Sequence, residues 1–470
     1  RADHHRRPGA QARGAQAGGT HGPAPGGQIL RPAAERTAGD IKGYNGFAGA
    51  LASVDLAKIE SSTGVPLEQL RNAAVRLAKA SRALAFFSSG VTGPDRGSVA
   101  YLFNLFLAAG KIGRKGCGVN PLAGICNIVG ATDMGAAPDM LPGYLRVPNE
   151  PAAARFRAVW GAEIEAGPGT SPLDLLRKRD PGLKALLVAD HDEEINLDSD
   201  RLRELDFTAY VGSYANPFLE YAHVVFPSAT HAEADGTYTN AERRIQLNLR
   251  KTEPRFESRP EWRIYADLAE RLGKSWPYGS AADVMAEVGR AVPFYAAASH
   301  DRLARTPGGL QWPCDAARPD GAPDLGLDPN RRPRFVPVDP VREDAAPSES
   351  LPFLLSAGKS FYFWHQNNAM MKTSIPRREY NALLMLYPRG LVEVHPDDAA
   401  RLGLRDGRPV RVASASASME VAARVTADVR PGAVHVPYFV GPMIPAFLAP
   451  HAELFERAED AALPVRIEKV

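Results

Sequence analysis

The alternation of apolar and polar positions changes texture twice along this chain. From Pro66 to Ala80, Leu67, Leu70, Ala74 and Leu77 return at helical spacing behind a first-turn proline, with Thr63 just upstream. Ala83–Phe87 is a continuous apolar run that stops at Ser88-Ser89-Gly90, as a buried strand does. Helical spacing resumes from Val99 to Ala109 through Leu102, Phe103 and Phe106. The rhythm recurs in a strand at Ala185–Ala189, a helix around Leu197–Leu205, and strands at Thr208–Val211 and Val224–Phe226. It predicts an α/β unit with a parallel, helix-covered sheet. Arg255–Gly273 reads as an amphipathic helix with Trp262, Tyr265, Leu268 and Leu272 on its apolar face and Gly273 as its stop.

The texture then dissolves: residues 303–350 are rich in Pro, Asp, Arg and Gly and read as a linker. From Leu351 onward β patterning dominates, in Phe353–Ser356, Leu391–Val394, Val410–Val412, Met419–Val425 and Val434–Tyr438. Turn signals such as Asp406-Gly407 and Pro431-Gly432 separate these runs and predict a closed or nearly closed barrel. Residues 1–42 are Gly- and Pro-rich at their start, have no apolar h-region, and read as disordered or non-native. The expected division is 1–42, an α/β domain over 43–302, a linker over 303–350 and a barrel over 351–470.

Composition narrows the function classes. The 470 residues carry 56 basic and 54 acidic side chains, for a net charge of +2, so no global excess neutralises phosphates and nucleic acid is an unexpected partner. No apolar run has membrane-spanning length. Cys117, Cys126 and Cys314 form neither a disulfide framework nor a C-x-x-C pair, which points to a reducing compartment, the cytoplasm, and to no iron–sulfur cluster held here.

Two stretches carry candidate chemistry. Gly110–Gly124 holds five glycines in fifteen residues right after a helix, with Lys111, Arg114 and Lys115. Such a loop lets backbone N–H groups approach an anion, and a phosphate or pyrophosphate fits; a helix C-cap running into an irregular surface loop is the alternative. Glu233–Gln246 follows the strand ending at Pro227, and its Thr237, Thr239, Asn240, Arg243 and Arg244 offer donors where open α/β sheets bind ligands. A polar loop capping a helix is the alternative there. Cys117 sits where a small side chain suffices, Cys126 reads as a packed thiol, and the acidic run Asp190–Glu194 reads as a solvated face.

Gly110–Gly143, GKIGRKGCGVNPLAGICNIVGATDMGAAPDMLPG, resembles a signature of the molybdopterin oxidoreductases, nearest to the formate dehydrogenase catalytic subunit. EADGTYTNAERRIQ at Glu233–Gln246, Arg259–Arg263 and Leu268–Gly273 continue the likeness, and Leu351–Val470 resembles the family's dinucleotide-binding barrel. The resemblance implies a bis-pterin guanine dinucleotide around molybdenum or tungsten and two-electron chemistry. It assigns cofactor contacts to Lys111, Gly118, Asn120, Gly124, Asn127, Gly130, Asp133, Gly236, Thr237, Asn240, Arg243, Lys359 and His365; the last could instead cap the Lys359–Asn368 loop.

Family members begin with an iron–sulfur module and a half-domain bearing the metal-ligating Cys or selenocysteine, so the chain is expected to be the C-terminal portion of a longer subunit. The implied partners are that N-terminal half and iron–sulfur or NADH/quinone-linked electron-transfer subunits. Where formate dehydrogenases read Arg-Gly-Gln-Asn-Asn this chain has Ala123-Gly124-Ile125-Cys126-Asn127, which implies poor formate turnover. Val211-Gly212 replaces a nucleotide-contacting Gln-Asp, Asp190–Glu193 replaces a Gly-Glu-Asn/Asp-Pro loop, and Phe363 stands near a frequent barrel histidine. These departures keep open a second reading, a non-catalytic scaffold and electron conduit like the large iron–sulfur subunit of NADH:quinone oxidoreductase.

Overall fold

The computed structural model describes residues 41–88, 97–122, 126–147, 150–164, 169–189, 199–214, 217–325, 333–336, 347–358, 390–437 and 462–470. The segment 1–40, Ala123, Gly124 and Ile125, the acidic run from Asp190, and Lys359, Phe363 and His365 lie outside those residues.

By proximity of Cα atoms the chain separates into two units, and the first takes in the described residues of Arg1–Ala83, Tyr101–Gly118 and Gly326–Pro337. Its helices are Tyr44–Ala52, Leu56–Thr63 and Leu67–Lys79. Asp55 caps the second by accepting from Ala57 N at 2.9 Å, and Gly64, at φ 67°, ends it. Ile41, Leu107, Ala108 and Phe335 form its core, with Phe47 stacked on Phe335 at 4.5 Å. Asn104, 1% exposed, reads both backbone groups of Val336, donating from Nδ2 to its O at 2.8 Å and accepting its N–H at 3.0 Å.

Along the chain, strand β1 (Leu84–Phe87) leads through the helix Gly97–Ala108 to β2 (Gly118–Pro121), with which it pairs. The second unit continues with the helix Ile128–Asp133, the short hairpin β3 (Met140–Leu141) and β4 (Leu145–Arg146), and the helices Glu150–Trp160 and Pro172–Arg177. Then β5 (Ala185–Ala189), β6 (Phe207–Gly212) and β7 (Val224–Pro227) pair in parallel, in the register Leu187↔Ala209 and Tyr210↔Val225. Leu176, Leu202, Leu205, Tyr210 and Phe218 fill the core against this sheet.

The stretch Glu233–Gln246 is no simple polar loop. Its Thr-Tyr-Thr and Ile-Gln-Leu alternations make strands β8 (Gly236–Thr239) and β9 (Arg244–Asn248), an antiparallel pair extended by β10 (Leu310–Gln311). Helices Glu261–Arg271 and Ala281–Ala291 follow. The first begins at Glu261 behind its N-cap Pro260, six residues later than Arg255, and buries Ile264, Ala266 and Ala269. Leu272, assigned above to the apolar face, is its C-cap and 72% exposed, because the helix winds down there into Gly273 at φ 76°. Leu303, Leu310 and Cys314, inside the stretch read as a linker, are buried beside Phe156, Ile245 and Met285. A few apolar side chains spaced without period are enough to anchor a segment that composition alone calls irregular.

Strands β11 (Phe353–Gly358), β12 (Leu391–Val394), β13 (Pro409–Ala413), β14 (Ser418–Val425), β15 (Ala433–Pro437) and β16 (Leu463–Lys469) close a barrel in the order β11-β15-β12-β14-β13-β16. β11–β15 and β12–β14 pair in parallel and the other neighbours antiparallel. Alternate residues such as Val410, Val412, Met419, Val421 and Ala423 turn inward and fill it. No helix among the described residues is long and apolar enough to cross a membrane.

Candidate functional site

The two motif stretches meet at one hydrogen bond. Asn127 adopts φ 64° at the start of the helix Ile128–Asp133, a left-handed conformation that asparagine tolerates better than most residues. Its side chain makes no cap to its own helix; instead Oδ1 accepts the backbone N–H of Thr239 at 2.8 Å, joining the helix to β8. Gly130, one turn on, must be glycine for this: a Cβ there would lie 2.3 Å from Asn127 Oδ1 and 3.3 Å from Thr239 Cβ.

Around this junction opens a cleft of about 230 Å³. Met134, Trp262, Val284, Met285 and Val288 supply an apolar floor, and Asn127, Asp235, Thr237, Thr239, Tyr295 and His300 supply polar atoms. Asp235 is also tied to the backbone, accepting Arg250 N at 2.8 Å. Burial lowers the pKa of His300, with Asp235 and Asp301 pulling the other way, so the imidazole favours its neutral form, one nitrogen donating and one accepting.

Behind the wall lies an acid. Asp133 is completely buried, and Tyr295 donates to its Oδ2 at 2.5 Å. The Tyr295 hydroxyl also shares a 2.8 Å hydrogen bond with Thr239 Oγ1, which borders the cleft. Burial pushes the Asp133 carboxyl above the usual carboxylate range, against the pull of Tyr144, Tyr295, Trp312 and the Arg243 charge. Tyr144 and the Trp312 indole act at longer range, since Asp133 Oδ1 and Trp312 Nε1 close no hydrogen bond. Burial and the neighbouring acid push the Tyr295 and Tyr144 phenols far up, so both stay protonated.

Among the residues assigned by resemblance, Asn127, Gly130, Gly236 and Thr237 line this cleft. Asp133 does not: it faces Tyr295 from the interior. Arg243 is consumed internally, its guanidinium donating to the carbonyls of Trp312, Ala322 and, at 2.7 Å, Pro323, and lying over the Trp312 ring. Asn240 holds the β8–β9 turn, accepting from Glu242 N at 2.9 Å and Arg244 N at 3.0 Å. In the first unit Lys111 is 3% exposed, and its ammonium donates to Ala80 O. Gly118 and Asn120 lie in β2, half-buried. Cys126 is exposed, not packed. Gly212 has a local reason: a Cβ there would lie 2.3 Å from the Tyr210 hydroxyl, so that ring excludes any larger residue. Trp262, Tyr295 and His300 were not assigned to the site from sequence; Val292-Pro-Phe-Tyr295 offers no periodic or motif signal.

Comparison with known proteins gives these features a family context. A molybdopterin oxidoreductase model matches residues 59–271, and a molydopterin dinucleotide binding domain model matches residues 364–448. The chain is 31% identical over 411 residues to F420-dependent formate dehydrogenase 2 subunit alpha of Methanococcus maripaludis, covering 84% of this chain and 59% of that protein. It is 31% identical to the probable oxidoreductase YjgC of Bacillus subtilis, covering 84% of this chain and 40% of that one. The chain thus spans between two- and three-fifths of the length of these relatives. Among solved structures, acetylene hydratase from Pelobacter acetylenicus shares the fold, with a TM-score of 0.61 at 15% identity over 93% of this chain and 67% of that one.

Proposed function

Since the chain belongs to the molybdopterin oxidoreductases, we propose that it serves as the dinucleotide-holding portion of a formate dehydrogenase-like oxidoreductase subunit, working with a segment that bears the metal ligand and with electron-transfer subunits. The observation that carries this reading is the Asn127–Thr239 bond, which brings two stretches 112 positions apart to one cleft. The donor set suits one fused heterocycle of the cofactor, guanine or pterin. A carboxylate (Asp235) suits a ring's amino and N–H edge, Thr237 and His300 can donate or accept, and Trp262 with two methionines suits a flat face. The volume suits one ring system and not the whole dinucleotide.

When bound, the metal–pterin group supplies the two-electron redox chemistry, molybdenum or tungsten alike. The protein's share is to seat the ring, keep water from its apolar face and hold its hydrogen-bond edge in register. Ala123 in place of an arginine supports a substrate other than formate, since alanine gives a carboxylate neither charge nor donor. The internal use of Arg243, Asp133 and Lys111 favours the second reading, a scaffold that keeps the fold and little of the cofactor's polar path.

The purified complex decides between them. Acid release followed by chromatography for GMP and oxidised pterin, with elemental analysis, gives stoichiometric nucleotide and metal under the first reading. Thr237→Val and Trp262→Ala lower both. A folded, redox-competent complex holding neither nucleotide nor metal leaves only the scaffold.

A further inference from the structure

We propose that Asp133 is a positioning residue which, through the hydroxyls of Tyr295 and Thr239, sets whether the cleft wall offers a hydrogen-bond donor or an acceptor. The inference rests on the cleft being a ring-binding site, as proposed above, for its purpose but not for its existence.

Three groups form an unbroken line from interior to cleft: Asp133 Oδ2, Tyr295 Oη at 2.5 Å, and Thr239 Oγ1 at 2.8 Å from that oxygen. Each hydroxyl has a single proton, so the line can run in either of two directions. With Asp133 ionised, Tyr295 donates inward to the carboxylate and Thr239 donates to Tyr295, which leaves Thr239 Oγ1 showing lone pairs to the cleft. With Asp133 protonated, the carboxylic acid can donate to Tyr295, Tyr295 to Thr239, and the Thr239 O–H is turned to the cleft. The proton that Asp133 gains is taken up from solvent and stays on the carboxyl; the two hydroxyl protons remain on their own oxygens and turn to face the other way.

Placement favours such a reversal. Asp133 is fully buried, Thr239 is 3% exposed, and Tyr295 packs within the core that includes Phe156, Met285 and Leu310, so water has little access to break the line. The groups that bear on the acid are Tyr144, Tyr295, Trp312 and the Arg243 guanidinium, while His300 and Asp235 stand on the cleft side. Burial outweighs the groups that would keep the acid ionised, so its carboxyl is raised from the ordinary value.

The test needs no ligand in its first arm. Difference infrared spectra of the full chain across a pH series show the carboxylic-acid carbonyl band of Asp133, identified by its loss in Asp133→Asn. Tyr295→Phe and Thr239→Val each shift that band and its midpoint, and Thr239→Ser restores it. If Thr239→Val leaves the band and midpoint unchanged, the line is not coupled and the proposal falls, even should Asp133→Asn fail to fold. The second arm measures GMP binding. Affinity of the unaltered protein changes about five- to tenfold across the carboxyl's titration, and this step vanishes in Tyr295→Phe. A step that survives there belongs to another group of the cleft and overturns the proposal. Failure of GMP to bind at any pH, with the infrared coupling intact, counts against the ring-site reading alone.

Discussion

Replacing Gly130 with alanine tests the junction on which the cleft depends. The added Cβ would lie 2.3 Å from Asn127 Oδ1, far inside contact distance, but that oxygen ends a rotatable side chain, so the clash itself is relieved by turning the amide away. Turning it away breaks the 2.8 Å bond from Thr239 N, and Thr239 is 3% exposed, so its N–H loses its partner with little water nearby. An orphaned buried donor costs about 1–3 kcal/mol. Alanine in place of glycine inside a helix returns up to about 1 kcal/mol. The balance is a local loss of about 1–2 kcal/mol, or roughly five- to thirtyfold faster opening.

Amide hydrogen exchange read at Thr239 measures this without assuming that the whole chain unfolds in one step. Asn127→Gly, which keeps the left-handed backbone and removes the acceptor, speeds exchange by a similar factor. Adding Gly130→Ala to it then costs much less than in the unaltered protein, because the atom it struck hardest is gone and only the 3.3 Å approach to Thr239 Cβ remains. Additive losses in the double variant, or unchanged exchange in Gly130→Ala, would refute the argument.

Gly309→Ala meets backbone, not side chain: the Cβ would lie 2.2 Å from Ile245 O at a residue with φ 79°, so it lowers stability by ~2–4 kcal/mol, seen as an earlier thermal transition. Glu233 is held below the ordinary value of 4.5 by the Thr230 backbone N–H first and the Thr230 hydroxyl next. Its folded pKa is depressed, so the stability it contributes is whole above that ordinary value and lost as pH falls through the lowered one. Melting temperatures of Glu233→Gln therefore fall less steeply with acid than those of the unaltered protein. In the barrel, Glu393 is 5% exposed and paired with Arg424 at 2.7 Å. Arg424→Met leaves a buried carboxylate uncompensated and costs ~3 kcal/mol at neutral pH. Burial already raises the Glu393 pKa, so that cost shrinks as acid protonates it; a denaturation midpoint equally depressed at pH 4 and 7 would contradict this.

The strands were the most legible part. Ala185–Ala189 and Leu391–Val394 match from end to end, the first an unbroken apolar run and the second three apolar residues around Glu393, set between Gly390 and the proline-led helix Pro396–Leu402. The last barrel strand, Leu463–Lys469, was not read, since Pro464 and three charged residues among seven disguise its alternation. In the cleft, Thr237 is legible from its donor chemistry beside glycine and Asn127 only from the family resemblance, whereas Tyr295 arrives from 56 positions beyond Thr239 by tertiary packing that no local pattern announces. Arg243 shows the opposite error. A guanidinium in a polar stretch reads as a ligand donor, yet three carbonyls of the chain's own backbone take its protons.

The grip of Asn104 on Val336 has a consequence for the order of events at the ribosome. The first unit draws on residues before Ala83, on Tyr101–Gly118, and then on Gly326–Pro337, which supply Phe335 to its core and a pair of backbone groups to Asn104. At ordinary elongation rates the 207 residues between those last two segments take on the order of 10–40 s to emerge. Throughout that interval the half-made unit exposes Ile41, Leu107 and the Asn104 amide, and the second unit's α/β elements leave the ribosome before the first is sealed. Nascent chains halted just short of residue 333 should therefore be held by chaperones, and those halted some forty residues past 336 released from them.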